Sequence, residues 1–303
     1  YKRQIINDTD GSVQWEAANN RIFGIVPESF DQQIVIDGTR FANPKPGWRG
    51  TGTAIPVFSI RTDEDFGVGD FIDIKQMVDW CRATDQNILQ LLPVNDTTLT
   101  GTWVDSYPYR ANSIFALHPM YLRLQEVGRL NSAKRMKSFD EKQAELNAME
   151  QIDYELVNAV KHEYLREIFA QDFARTAATR DYQDFLRHND YWLRPYSAWS
   201  VLRDENHTPD HSRWGMYSVY DPERVNEFIM SHKAETDYYC FLQYHLDRQL
   251  HIARDYAHSA GVVLKGDIPI GISRHSVDAW CNPELFNMDT SAGAPPDDFS
   301  VLG

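Results

Sequence analysis

The stretch Gly261-Val262-Val263-Leu264-Lys265-Gly266-Asp267-Ile268-Pro269-Ile270 constrains the fold more than any other part of the chain. A helix-stopping glycine leads into a short β-branched run that reads as buried, then a carboxylate, Asp267, and a proline. Such a run is a parallel strand, and (β/α) barrels place their chemistry at the carboxyl ends of their strands. Pro269 has no N–H to give to a ladder, so it stops the strand and fixes the turn that aims Asp267. A lone carboxylate at a strand end is also consistent with a helix cap or an arginine partner, but the flanking Gly266 and Ile268-Pro269-Ile270 favour a site residue.

The same grammar occurs upstream. Thr53 to Ile60 reads as a strand, residues 67–84 as a helix with Phe71, Ile74, Met77, Val78 and Cys81 on one face, and Ile88 to Val94 as a second strand. From about 128 to 240 the pattern becomes helical and aromatic-rich, with helices expected at 131–149, 151–176, 180–189, 195–206 and 221–233. A helix at 236–260 then delivers the strand at 262–266. The expected class is α/β, a partial (β/α)8 TIM barrel with a helical insertion. A closed barrel takes eight strands and about 250 residues. Only three strands can be placed here, so the chain reads as a piece of a larger enzyme.

The N-terminal residues form a separate unit in this reading. Tyr1 to Asn7 and Ser12 to Glu16 flank Asp8-Thr9-Asp10-Gly11, a strong reversal signal for a hairpin. Residues 26–47, with Pro27, Pro44, Pro46 and Gly47, have linker composition, and a domain boundary is expected near residue 40. The resulting division is 1–25 hairpin, 26–47 linker, 48–127 first barrel part, 128–240 helical subdomain and 241–303 barrel continuation.

With 303 residues, 42% of them apolar, the chain can bury a sizeable core. A formal charge of -14 argues against nucleic acid or an anionic membrane surface as partner, because both demand concentrated Lys and Arg. Three cysteines, Cys81, Cys240 and Cys281, lack metal-ligand spacing, so neither a disulfide framework nor a zinc site is expected. A cytoplasmic location follows as the default expectation, and no apolar run reaches membrane-helix length.

Several segments together resemble a known family: Trp48-Arg49-Gly50-Thr51-Gly52, Pro56-Val57-Phe58-Ser59-Ile60-Arg61, Gln90-Leu91-Leu92-Pro93-Val94-Asn95-Asp96 and Asp105-Ser106-Tyr107-Pro108-Tyr109. Lys265-Gly266-Asp267-Ile268-Pro269-Ile270-Gly271 and Gly293-Ala294-Pro295-Pro296-Asp297 complete the set. These resemble the 4-α-glucanotransferases, or amylomaltases, of glycoside hydrolase family 77, over about 48–127 and 236–303 and more loosely between. Tyr1-Lys2 and Val13-Gln14-Trp15-Glu16-Ala17-Ala18-Asn19-Asn20-Arg21 resemble the final strands of a β-sandwich starch-binding module of family 20, carried ahead of the catalytic domain in one branch of that family.

The resemblance implies a retaining glucosyl transfer in which an aspartate forms a covalent intermediate, a glutamic acid protonates the leaving oxygen, and an acceptor sugar resolves the intermediate. It places both of those residues beyond Gly303, so no catalytic residue is assigned within the chain. It implies no metal and no organic cofactor, and as partners maltose, maltodextrins and soluble glucan or glycogen- and starch-like acceptors. It implies one wall of a glucan site from Ser106, Tyr109 and Asp267, acceptor contact at Phe299, and starch contact at Trp15, Asn20 and Lys2. The extra Tyr107 between Ser106 and Pro108 departs from the bacterial pattern.

Other readings stay open on the residues alone. Tyr109 is consistent with a loop tyrosine packed on the core, Phe299 with a hydrophobic anchor and Trp15 with an ordinary sheet tryptophan. Asp297 and Asp298 are adjacent and would point opposite ways, which argues against an acid/base couple. His251 and His258, seven apart, read as a solvated helix face, and Tyr182, Phe185, Tyr191, Trp192, Tyr196, Trp199 and Trp214 mostly as helical core. A non-catalytic glucan-binding protein and an α-amylase-type hydrolase are the alternatives to a transferase.

Overall fold

The computed structural model describes residues 49–290 continuously, together with 4–6, 9, 13–15, 293, 295 and 296. Lys2, Asn20, Phe299, Asp297 and Asp298 lie outside the described residues, as does the linker expected at 26–47. The chain divides into two compact units, Tyr1–Gly50 and Thr51–Gly303. In the first, β1 (Gln4–Ile6) pairs antiparallel with β2 (Val13–Trp15), Gln4 opposite Trp15 and Ile6 opposite Val13. That is the hairpin expected from the Asp-Gly reversal, and the Trp15 side chain is 56% exposed.

The second unit is built on a three-stranded parallel sheet. β3 (Gly52–Ile55), helix α1 (Ile74–Ala83) and β4 (Ile88–Leu91) form one strand–helix–strand unit, with Gly52 opposite Ile88. β3 is shorter than the strand expected at 53–60. Pro56 has no N–H for the ladder, and the chain turns there into a 3-10 helix at Val57–Ser59. At Gly52 a Cβ would sit 2.3 Å from the Ile88 carbonyl oxygen, so only glycine allows the two strands this approach. β4 likewise stops before Leu92 and Pro93, short of the expected Val94.

α1 begins later than the expected residue 67, because 65–73 form a turn organised by buried carboxylates. Asp65 accepts from the N–H groups of Thr62 and Gly67, and Asp73 from Asp70 N–H and Thr62 Oγ1. Of the expected apolar face, Phe71, Ile74, Val78 and Cys81 are buried and Met77 is partly buried against the core.

Residues 110 to 123 form a connecting segment. It contains β5 (Arg110–Ala111) and is clipped to a long helix by two amides. Gln243 accepts from Leu117 N–H (2.9 Å) and donates to Leu117 O (2.8 Å), and Gln249 does the same to Arg123 (2.8 and 2.9 Å). Arg123 also meets Asp70 at 2.6 Å, with Asp73 and Glu64 beside it, which ties the turn before α1 to this segment.

Helices α2 (Leu124–Val127), α3 (Ala133–Asn147), α4 (Tyr154–Ala177), α5 (Arg180–Asn206), α6 (Pro222–Ser231) and α7 (Lys233–Ser259) make up the helical part. Ser132, Asp153, Thr179 and Asp221 cap α3 to α6 by accepting first-turn N–H bonds. The two helices expected at 180–189 and 195–206 are one. Pro195 lies inside α5, and Tyr191, whose carbonyl would have received the missing bond, is exposed to solvent that can satisfy it. Tyr182, Phe185, Tyr196, Trp199 and Trp214 are buried as expected, whereas Tyr191 is not. His251 and His258 are exposed on α7, and the three cysteines are free.

α7 leads into β6 (Val263–Lys265), which joins β4 in parallel, Ile88 opposite Val263, giving the order β3-β4-β6. Val262 is buried, but Val263 is 46% exposed, against the expectation of a buried run. Among the described residues β6 is an edge strand, with Val263 and Lys265 exposed and Leu264 partly buried. β7 (Gly271–Ile272) then pairs in parallel with β5, a contact too short to read from sequence, and helix α8 (Val277–Cys281) follows. No helix of the structure, among the described residues, is long and apolar enough to cross a membrane.

Candidate functional site

Asp267 and Tyr109 are 158 residues apart in sequence, and the Tyr109 hydroxyl donates to Asp267 Oδ2 at 2.8 Å. Asp267 follows β6 at its carboxyl end, and its other oxygen accepts the Ile268 N–H at 2.9 Å, which orients the carboxylate. Two residues before it, Lys265 donates to Gln90 Oε1 of β4 at 2.9 Å, so adjacent strands are tied side chain to side chain at the level where the chain turns toward Asp267.

Tyr109 arrives on a loop that closes on itself. Asp96 N–H donates to Ala116 O and Asn112 N–H to Asp96 O, both at 2.8 Å, and Asn112 Nδ2 bonds Thr98 O at 2.9 Å. The Asp96 carboxylate accepts Thr98 N–H and the Tyr196 hydroxyl at 2.9 and 2.7 Å. Within the loop Asp105 is buried, and a single oxygen, Oδ2, accepts from Leu99 (3.0 Å), Thr100 (2.7 Å) and Gly101 (2.7 Å) N–H groups. Gly101 has φ 74°, a left-handed conformation that suits glycine in this tight wrap. A 3-10 turn, Trp103–Ser106, carries the chain from Asp105 to Ser106, Tyr107, Pro108 and Tyr109.

These residues line a cavity of about 1080 Å3 whose wall includes Phe58, Trp103, Ser106, Tyr107, Tyr109 and Tyr154. The extra Tyr107 packs beside Tyr109, ring centroids 5.8 Å apart, without displacing Tyr109 from Asp267. The carboxylate that accepts its hydrogen bond holds the Tyr109 phenol above its usual range, so it remains a donor at neutral pH. A phenol, a serine hydroxyl, a carboxylate and exposed aromatic faces are what a sugar needs, because pyranose C–H groups stack on rings while hydroxyls reach polar neighbours. Among the described residues no group of three or more His, Cys, Asp or Glu side chains could hold a metal ion.

The structure therefore brings Ser106, Tyr109 and Asp267 into one region, and leaves Trp15 on the separate hairpin. Sequence reasoning missed Asp96 and Asp105, which position the loop, and Trp103 and Tyr154, which line the cavity. The signal for Asp105 was present, since an aspartate closing a Thr-rich, Gly-containing loop is a common backbone organiser.

Comparison with known proteins agrees with this architecture. The family model for 4-alpha-glucanotransferase, glycoside hydrolase family 77, matches residues 55–303. The chain is 41% identical over 273 residues to the 4-alpha-glucanotransferase DPE2 of Oryza sativa subsp. japonica, covering 89% of this chain and 28% of that protein. It is 32% identical over 254 residues to the 4-alpha-glucanotransferase of Chlamydia caviae, covering 83% and 47%. The chain thus spans between about a quarter and a half of these relatives. Among solved structures it resembles an amylomaltase from Streptococcus agalactiae in complex with acarbose, with TM-score 0.67, 22% identity, and coverage of 84% of this chain and 51% of that one. The fold is shared at that level, and with the family match over most of its length the chain belongs to the 4-alpha-glucanotransferases of glycoside hydrolase family 77.

Proposed function

We propose that the chain is the N-terminal portion of an enzyme that transfers glucosyl units from maltose or short maltodextrins to a glucan acceptor with retention of configuration. The parallel sheet β3-β4-β6 is, in this reading, the first part of a (β/α)8 barrel, residues 128–240 its helical insertion, and residues 1–25 the end of a starch-binding sandwich joined by a linker at 26–47. The location proposed is cytoplasmic, with no cofactor.

The observation that carries the reading is the hydrogen bond from Tyr109 to Asp267 beside the cavity at the loop after β4. The phenol hydrogen is given to Asp267, so the pair offers a sugar hydroxyl acceptor lone pairs on both side chains, and Ser106 lies with Tyr109 on the cavity wall. The covalent step belongs to a nucleophilic aspartate and a glutamic acid, proposed to lie outside these residues, between which a glycosidic bond is cleaved and re-formed. Ser106, Tyr109 and Asp267 hold the reacting sugar in place, which raises the rate by orientation. Phe299 is proposed to meet acceptor sugars, and Trp15, with Asn20 and Lys2, to hold starch through its exposed ring.

In the full-length protein carrying these residues, incubation with maltose should release glucose and build longer maltodextrins. Asp267→Ala should lower kcat/KM for that transfer by at least about 100-fold, the loss of a partly buried, charge-assisted contact in the transition state. Transfer that survives the substitution intact overturns the site assignment. Glucose release without longer products would identify a hydrolase.

A further inference from the structure

Gln243 and Gln249 of α7 make the same pair of bonds to the connecting segment, and only Gln243 reaches beyond it. Each bonds one residue's backbone twice, Gln243 to Leu117 and Gln249 to Arg123, at 2.8 or 2.9 Å and across 126 residues of sequence. They are 1% and 2% exposed. The Gln243 amide has a second Nε2 hydrogen to give, and it meets the Tyr196 hydroxyl at 3.3 Å. No third bond of Gln249 is found among the described residues.

Tyr196 passes the link on. Its buried hydroxyl accepts from Gln243 and donates to Asp96 Oδ2 at 2.7 Å. Burial, with the Asp96 carboxylate beside it, holds the phenol well above its usual range, so the hydrogen stays in that bond at physiological pH. Asp96 is buried too, and it closes the base of the loop that carries Ser106 and Tyr109. Its Oδ1 accepts Thr98 N–H where the loop starts, and its carbonyl accepts Asn112 N–H where the loop ends. Three buried side chains thus run in series from α7 to both ends of that loop.

The same helix delivers the other partner. α7 leads through β6 to Asp267, and the chain leaving Asp267 returns to the loop base, where Ser273 N–H donates to Ala111 O and Val277 N–H to Asn112 O, both at 2.9 Å. One helix therefore sets where Asp267 stands and, through Gln243, where the base of the Tyr109 loop stands. The Tyr109–Asp267 bond spans the two. A buried network of this kind holds one geometry, because a shift would leave a polar atom unpaired away from water.

We propose that Gln243 is a positioning residue for the transfer reaction, acting through Tyr196 and Asp96 to hold Tyr109 in register with Asp267. The inference rests on the proposed transfer at Tyr109 and Asp267. It separates two glutamines that burial and backbone bonding make alike: Gln249 fixes Arg123 and the turn before α1, whereas Gln243 fixes the geometry of the site. Misplacing a group that orients the substrate by about 1 Å is enough to lower a rate by about two orders of magnitude.

The test compares Gln243→Met with Gln249→Met in the full-length protein carrying these residues, by maltose transfer kinetics and by amide exchange. Methionine keeps the side-chain length and removes the backbone bonds, so a purely structural role predicts the same result from both. Gln243→Met should lower kcat about 10-fold with KM changed less than about 3-fold, and speed exchange of the Thr98 and Asn112 N–H groups about 10-fold. Gln249→Met should leave kcat within about 2-fold of wild type and those two amides unchanged. Tyr196→Phe removes only the middle hydroxyl and keeps the ring, so it should reproduce the Gln243→Met pattern and carries the test if that variant does not fold. Equal kcat losses in the two glutamine variants, no loss in either, or a change confined to KM overturns the proposal. A wild type that performs no transfer overturns the proposed function instead, and unchanged exchange at Thr98 and Asn112 in Gln243→Met and Tyr196→Phe would then overturn this inference as well.

Discussion

The helical part and the sheet side of the second unit are held together by different physics. In α4, α5 and α7 the rings close on each other: Tyr182 meets Tyr244 at 5.1 Å, Phe169 meets Tyr238 and Phe241 at 5.4 and 5.5 Å, and Trp199 is fully buried. On the sheet side the apolar residues after β6 turn outward, Ile270 with 91% exposure, and order comes from carboxylates that gather backbone N–H groups. The lesson is that a site can stand on a thin sheet when polar anchors fix its loops and a neighbouring helical core supplies the stability.

The largest way to break that contrast is in the helical core. Trp199→Ala removes a buried indole and its hydrogen bond to His275 O, and should cost about 3–5 kcal/mol in urea unfolding. A loss under about 1 kcal/mol would mean the helices are not the stabilising half.

The second test uses pH. Burial holds His162 at about 4 and His245 at about 3, both below the unfolded value of about 6.5. The folded state therefore binds fewer protons than the unfolded state in this range. The stability is complete above pH 6.5 and is lost as pH falls toward 4, on the order of 5 kcal/mol for the two rings together between pH 7 and 4.5. Urea midpoints across that range should fall accordingly, and His162→Gln should flatten part of the slope; an unchanged slope contradicts its burial as a neutral ring.

Asp105→Ala sharpens the other side of the comparison. It strands the Leu99, Thr100 and Gly101 N–H groups, and about 2 kcal/mol should be lost together with faster amide exchange confined to residues 97–109. Exchange that speeds up throughout the helices instead would merge the two regions into one. The smallest effect belongs to Ile270→Ser, a surface change expected to stay within about 0.5 kcal/mol in thermal or urea unfolding.

What the sequence revealed follows the same division. Helix faces were readable because 3.6-residue periodicity records burial, as Phe71, Ile74, Val78 and Cys81 show. Boundaries failed where a local rule met a tertiary answer: two helices are expected at 180–189 and 195–206, yet α5 runs unbroken through Pro195 because the rest of the helix is packed well enough to carry it. Pro56 ended β3 early because a short sheet leaves no ladder to resume. The pairing of β5 with β7 has two residues on each side and no periodicity to detect. Asp267 was legible as a strand-end carboxylate and Tyr109 by family resemblance, but their bond spans 158 residues, and no local pattern encodes it.

The central claim is that Tyr109 and Asp267 act on sugar as one unit, and a double-mutant cycle on maltose affinity measures it most directly. Wild type, Tyr109→Phe, Asp267→Asn and the double variant would be titrated under one set of conditions. The account predicts that each single change weakens binding about 10-fold and that the double change is scarcely worse than either, a coupling near 1.4 kcal/mol. Additive losses, or maltose affinity untouched by either change, would contradict it.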